Sequence, residues 1–237
     1  MSLPSIERIQ AHMVLDATPG DSGQINLRQL AIFLVMALGS LLFWLTPVLY
    51  PLKILVVFIH ETFHVLATVL TGGTVISMVV TPWQSGYVEY MGGRPFLIAS
   101  AGYVGSALFG GIMLLLSVRD KWASVVFGGL ALLFGLITVL FVRNIFGLVF
   151  GLGTAAAFAY LYWKPFMGAH YIIDFLAVTS SLYALFDLTD FLWVGARTDA
   201  VILAEITPVP AFIWALLWSA VSLSVVYVAG KRAITIH

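Results

Sequence analysis

From Leu27 onward, apolar runs of about 20 residues alternate with short polar breaks, and a run of that length is what an α-helix needs to cross a bilayer. The runs fall at roughly 28–49, 52–71, 95–118, 122–142, 145–163, 170–192 and 209–229. They predict an all-α polytopic membrane protein with about seven transmembrane helices. Only Arg143 and Asn144 separate the fourth run from the fifth. Residues 1–26 are mixed and polar, so a polar N-terminal tail is expected ahead of a single transmembrane domain at 27–232. No basic stretch leading into a short apolar core and a cleavage site precedes Leu27, and no signal peptide is expected.

One stretch breaks the helical pattern. Thr74 to Tyr90 (TVISMVVTPWQSGYVEY) is rich in β-branched and aromatic residues around a Pro82–Gly86 turn. It predicts a short β-hairpin after the second span. Non-helical backbone near a bilayer must be buried in protein or line a wet cavity, so a cavity is expected beside the second span. In the third span Gly102, Ser106 and Gly110 recur at four-residue spacing, as do Gly147, Gly151 and Ala155 in the fifth. Such residues let helices approach closely, and packing is the role expected of them.

Composition sharpens the membrane reading. Hydrophobic residues make up 61% of the 237-residue chain and charged residues only 9%, against about 25% charged in a soluble domain. A zero formal net charge gives no sign of nucleic-acid binding. The chain has no cysteine, which excludes disulfides, thiol catalysis and sulfur-ligated metal. Basic residues near the span ends fall almost equally on the two sides, so the positive-inside rule assigns no orientation.

The second span, 52–71, carries His60-Glu61-Thr62-Phe63-His64 inside VVFIHETFHVLATVL. A spacing of four puts both imidazoles on one helical face, a turn apart, where both can reach one zinc ion. Glu61 projects nearby, placed to take a proton from a metal-activated water rather than to ligate. A carboxylate and two imidazoles are costly in a bilayer, roughly 2.5–3.5 kcal/mol for a central acid, which favours a metal site over an incidental cluster. Catalytic zinc usually takes three protein ligands. The sixth span, 170–192, offers Asp187 and Asp190 in SSLYALFDLTDFL, three residues apart on one face. Asp187, the deeper, is the preferred third ligand; Asp190 could hydrogen-bond a ligand imidazole or sit among headgroups. His170 opens that span and is expected at the interface, as is Asp174.

These residues resemble the site-2-protease class of intramembrane zinc metallopeptidases, and above all its peptidase M50B-like branch. The resemblance runs from about Pro51 to Leu223. It rests on PLKILVVFIHETFHVLATVLTGG, the hairpin ending YMGGRP, and ASAGYVGSALFGG. It continues through FVRNIFGL, SSLYALFDLTDFL, RTDAVILAEIT and PAFIWALLWSAVSL. It implies zinc as the cofactor, His60 and His64 as ligands, Glu61 as the catalytic glutamate and Asp187 as the third ligand. It also implies transmembrane proteins as substrates. Better-studied members carry Asn, Pro and Leu-Asp-Gly at the second motif; here Ser180 to Asp187 lacks the Asn, the Pro and the Gly.

Three functions are therefore in view. The leading one is an intramembrane endopeptidase whose unwound substrate adds as a strand to the hairpin edge around Val75 to Val80. The altered second motif motivates a non-proteolytic metal-binding scaffold or chaperone. A transporter is disfavoured, because no internal repeat or pair of broken helices is present. Substrate identity and oligomeric state are not readable.

Overall fold

The computed structural model describes residues 25–117, 120–164, 166–186 and 198–235. Its helices are α1 (Leu27–Phe43), α2 (Tyr50–Leu70), α3 (Pro95–Ser117), α4 (Asp120–Phe141), α5 (Ile145–Trp163), α6 (His170–Ser181), α7 (Asp199–Ile206) and α8 (Ala211–Thr235). Between α2 and α3 lies one antiparallel hairpin, β1 (Thr74–Val80) and β2 (Gly86–Met91).

Among the described residues five helical segments are long and apolar enough to cross a membrane: Pro47–Leu70, Pro95–Leu116, Trp122–Phe141, Ile145–Trp163 and Ala211–Thr235. Five of the seven expected runs are thus found as full-length candidate spans among the described residues. The first ends at Phe43, because Thr46 precedes a proline and takes an extended conformation (φ −104°, ψ 159°). Its hydroxyl donates to the Phe43 carbonyl at 2.7 Å and closes the helix, leaving α1 at 17 residues. Pro47–Leu49 instead leads into α2 as a short 3₁₀ turn. The sixth run is described as a 12-residue helix, with residues 187–192 outside the described part. Asp174, expected at the interface, is fully buried on α6, the helix that packs against both α3 and α1.

The bundle has an inside and an outside. Leu34, Leu132, Val139 and Val149 are each at least 60% exposed, a surface suited to lipid rather than water. The α2 segment is 61% buried and the α5 segment only 17%. The helix carrying the histidines is therefore the most buried of these segments. Ile54, Val56, Phe58, Ile59 and Val65 on α2 are at most 2% exposed, and Phe58 stacks on Phe134 of α4 at 4.6 Å.

The expected hairpin forms, with Val79 opposite Tyr87 and Val80 opposite Gly86 across the Thr81–Ser85 loop. Its two edges differ. The outer edge of β1 is covered by the α4–α5 corner. The Met78 carbonyl accepts from the Arg143 backbone N–H at 3.1 Å. The Asn144 amide then mimics a paired strand, donating to Val80 O at 2.7 Å and accepting from Val80 N–H at 3.3 Å. The edge anticipated for substrate at Val75 to Val80 is thus already occupied at Met78 and Val80. On β2, by contrast, no further strand pairs among the described residues. Met78 and Val80 turn their backbone groups outward, so their partners Val88 and Gly86, and Tyr90 two residues on, turn theirs toward that free edge.

Candidate metal centre

Helical spacing brings His60 and His64 together as expected. Their Nε2 atoms lie 3.0 Å apart. The third member arrives from α7, where Asp199 is the first helical residue after Thr198. Its Oδ2 is 3.0 Å from His60 Nε2 and 3.1 Å from His64 Nε2. These three ligand atoms form a nearly equilateral triangle. A tetrahedral zinc with bonds of about 2.0–2.1 Å has edges of roughly 3.3 Å, so the donor set fits the ion with adjustments of a few tenths of an ångström.

Hydrogen-bond bookkeeping also favours a cation. His64 Nδ1 lies 2.7 Å from the Ile98 carbonyl, which can only accept, so Nδ1 carries the proton and the neutral ring presents a lone pair at Nε2. That lone pair faces a carboxylate oxygen and a second imidazole nitrogen, in a place where both histidines are 6% exposed. With two acceptors so close to His60 Nε2, the triangle must be filled either by a proton on that nitrogen or by a metal ion among the three atoms.

Other elements shape the cradle. Gly102 on α3 sits under both rings: a Cβ there would collide with His60 Cε1 and Nε2 and come within 2.6 Å of His64 Nε2. Packing was the only role its spacing suggested, yet its missing side chain is what admits the imidazoles. Gly86, the first residue of β2, does the same for Glu61, since a Cβ there would lie 2.7 Å from Glu61 Cγ and 2.9 Å from Oε1. Glu61 itself is 5% exposed.

His60, Glu61, His64 and Asp199 all line one cavity of about 380 Å³, together with Gly86, Val88 and Tyr90 of β2 and with Tyr103 and Tyr183. Burial alone would push the Asp199 carboxyl up, but the adjacent His64 and His60 hold it well below the usual carboxylate range. Burial and the Asp199 charge both push the Tyr90 phenol up, keeping it protonated.

Of the residues singled out in the sequence, His60, Glu61 and His64 meet in this cavity. Asp187 and Asp190 lie outside the described residues. His170 begins α6 with its ring against Tyr171, 4.0 Å between centroids, and is not among the cavity-lining residues. Asp199 was missed, although RTDAVILAEIT contributed to the resemblance. Its one local mark is its place just after Thr198 at the start of a short apolar helix, which does not by itself single it out as a ligand.

The pattern of the peptidase M50B-like family matches residues 33–229, most of the chain. The chain belongs to the peptidase M50B-like family. No curated protein and no solved structure matches it. For this M50B-like protein the long apolar helices fit a membrane location, and the family points to a peptidase with a site able to hold a metal ion.

Proposed function

We propose that this M50B-like protein is an intramembrane zinc metalloprotease, a multipass protein of about seven spans in one domain at 27–232, cutting transmembrane protein substrates. The observation that carries the reading is the convergence of His60, His64 and Asp199 within 3.1 Å of one another in a cavity that also holds Glu61. His60, His64 and Asp199 would hold the ion. Zinc supplies Lewis acidity there, polarising the substrate carbonyl and lowering the pKa of water toward neutrality. Asp187, first preferred as third ligand, remains the alternative tested by substitution.

The protein's own groups then divide the work. Backbone N–H and C=O groups of Gly86, Val88 and Tyr90 hold an unwound substrate as an added strand on the free edge of β2. Glu61 takes a proton from the attacking water and returns it to the departing amine. The Ile98 carbonyl keeps the His64 ring in one tautomer and orientation.

Glu61→Gln tests the function. It is nearly isosteric and should keep fold and metal, while cleavage slows by about 10²–10⁴-fold and uncut membrane proteins accumulate. The second reading, a metal-stabilised scaffold, is motivated by the absence of the Asn, Pro and Gly around Asp187. Under it, Glu61→Gln cells would have the fragment profile of wild type while His60→Ala cells would not, and that pattern would sink the protease.

A further inference from the structure

The cavity has an uneven charge inventory. Its described lining holds two carboxylates, Glu61 and Asp199, but no Lys or Arg. When water adds to a peptide carbonyl, the oxygen gains negative charge that a hydrogen-bond donor can share with a bound ion; among the described lining no Lys or Arg supplies that donor. Tyr103 and Tyr183 are held as walls: their rings stack on each other at 5.9 Å, both stand edge-on to His60, and Tyr103 lies against Trp218 at 4.7 Å.

Tyr90 differs from that pair. It shares the inward-facing side of β2 with Gly86 and Val88, all three half-buried between exposed neighbours, and all three line the cavity. It lies near enough to Asp199 to feel that charge. Among the described residues its hydroxyl has no hydrogen-bond partner, unlike the Tyr50 hydroxyl, which is committed to the Pro82 carbonyl at 2.7 Å. A cavity-lining hydroxyl with no partner among the described residues is available to donate to a ligand in that cavity.

We propose that the Tyr90 hydroxyl is a catalytic hydrogen-bond donor to the carbonyl oxygen of the scissile peptide. The inference rests on the peptidase reading above. The water oxygen bonds to the carbonyl carbon as one of its protons passes to Glu61, and the C=O π pair moves onto the carbonyl oxygen. Tyr90 donates to that oxygen and keeps its own proton. The pair then re-forms the C=O bond, the C–N bond breaks, and the nitrogen takes the proton from Glu61. The same tyrosine thus grips the substrate through its backbone and steadies the charge through its side chain.

Tyr90→Phe removes only the hydroxyl. Zinc content should match wild type, KM should change less than about threefold, and kcat should fall about 10²–10³-fold, as for loss of one oxyanion donor. A second readout needs no turnover. Zinc-loaded protein in detergent is titrated with a fluorescein-labelled leucine pentapeptide whose central amide is replaced by a phosphinate, mimicking the tetrahedral oxygens. A matching peptide with an all-carbon link in that place is the comparison. Tyr90→Phe should bind the phosphinate about 10–100-fold more weakly and the all-carbon peptide unchanged. Equal phosphinate affinity in Tyr90→Phe and wild type, or a wild type that does not distinguish the two peptides, overturns the role. Glu61→Gln is run alongside. If wild type and Glu61→Gln both fail to cleave, the peptidase reading falls; if both cleave alike, Glu61 is not the base; if Glu61→Gln is inactive while Tyr90→Phe keeps full kcat, only the Tyr90 role falls.

Discussion

Replacing Gly86 by alanine should separate the proposed general base, Glu61, from the proposed metal ligands. The three atoms nearest a Cβ at this position all belong to Glu61, the closest at 2.7 Å, whereas ordinary contact begins at 3.4 Å. About 0.7 Å must be found. The backbone of α2 cannot supply it, since Val57, Phe58 and Val65 around Glu61 are at most 3% exposed. The hairpin cannot easily lift either, because Asn144 and Arg143 hold β1. The Glu61 side chain is therefore what yields. A displacement approaching 1 Å at a catalytic group costs up to about 10²-fold in rate, roughly 2.7 kcal/mol of transition-state stabilisation. Alanine should not weaken the fold by itself, because a strand glycine is less favourable than alanine by roughly 0.5–1 kcal/mol. The assay is cleavage at saturating substrate, with zinc measured on the same preparation. We expect full zinc and a 10–100-fold lower rate. Full zinc with an unchanged rate would refute the argument that β2 positions Glu61.

One equivalent of zinc should co-purify with wild type and Glu61→Gln, whereas His60→Ala or His64→Ala should lose it; elemental analysis showing full occupancy in both histidine variants would remove the site. Asp199→Asn should lose most of the metal and Asp187→Asn little, and the opposite order would restore Asp187 as third ligand. Gly102→Ala should lower metal affinity by about 10–100-fold, the range for disturbed support of a ligand, which competition with a chelator can read. Asn144→Leu removes both bonds to Val80 and should destabilise the hairpin by about 1–3 kcal/mol, seen as faster amide exchange at Val80 and Arg143; unchanged exchange would mean that the α4–α5 corner does not hold β1.

What the sequence disclosed about this site followed distance along the chain. HETFH is legible because one helical turn suffices to place two imidazoles and a carboxylate. The hairpin is legible because a β-branched run interrupted by Pro82 and Gly86 has few other local solutions. The third carboxylate is 139 residues from His60, and nothing local ranks Asp199 above Asp187 or Asp190. The occupied edge of β1 was hidden for a similar reason. Asn144 read as a break between two spans, and only the packing of α4 and α5 brings its amide to Val80. Gly102 read as a packing residue because spacing shows that a side chain is small without showing what fills the room. The end of the first run was read too late, because the short polar signal at Thr46-Pro47 ends its helix at Phe43 inside an apolar stretch.

The distance between His60 and Asp199 also sets a timetable. A ribosome adds about 5–20 residues per second, so roughly 7–28 s separate the making of the first ligand from the making of the last. During that interval the nascent chain carries an HETFH helix with two of its three proposed ligands. The earlier helices enter the bilayer beside an incomplete site, and α7 acts as the late component that arms it. On the proposed reading, a peptidase of membrane-embedded chains would in this way be inert toward its own first spans while they are still unpacked.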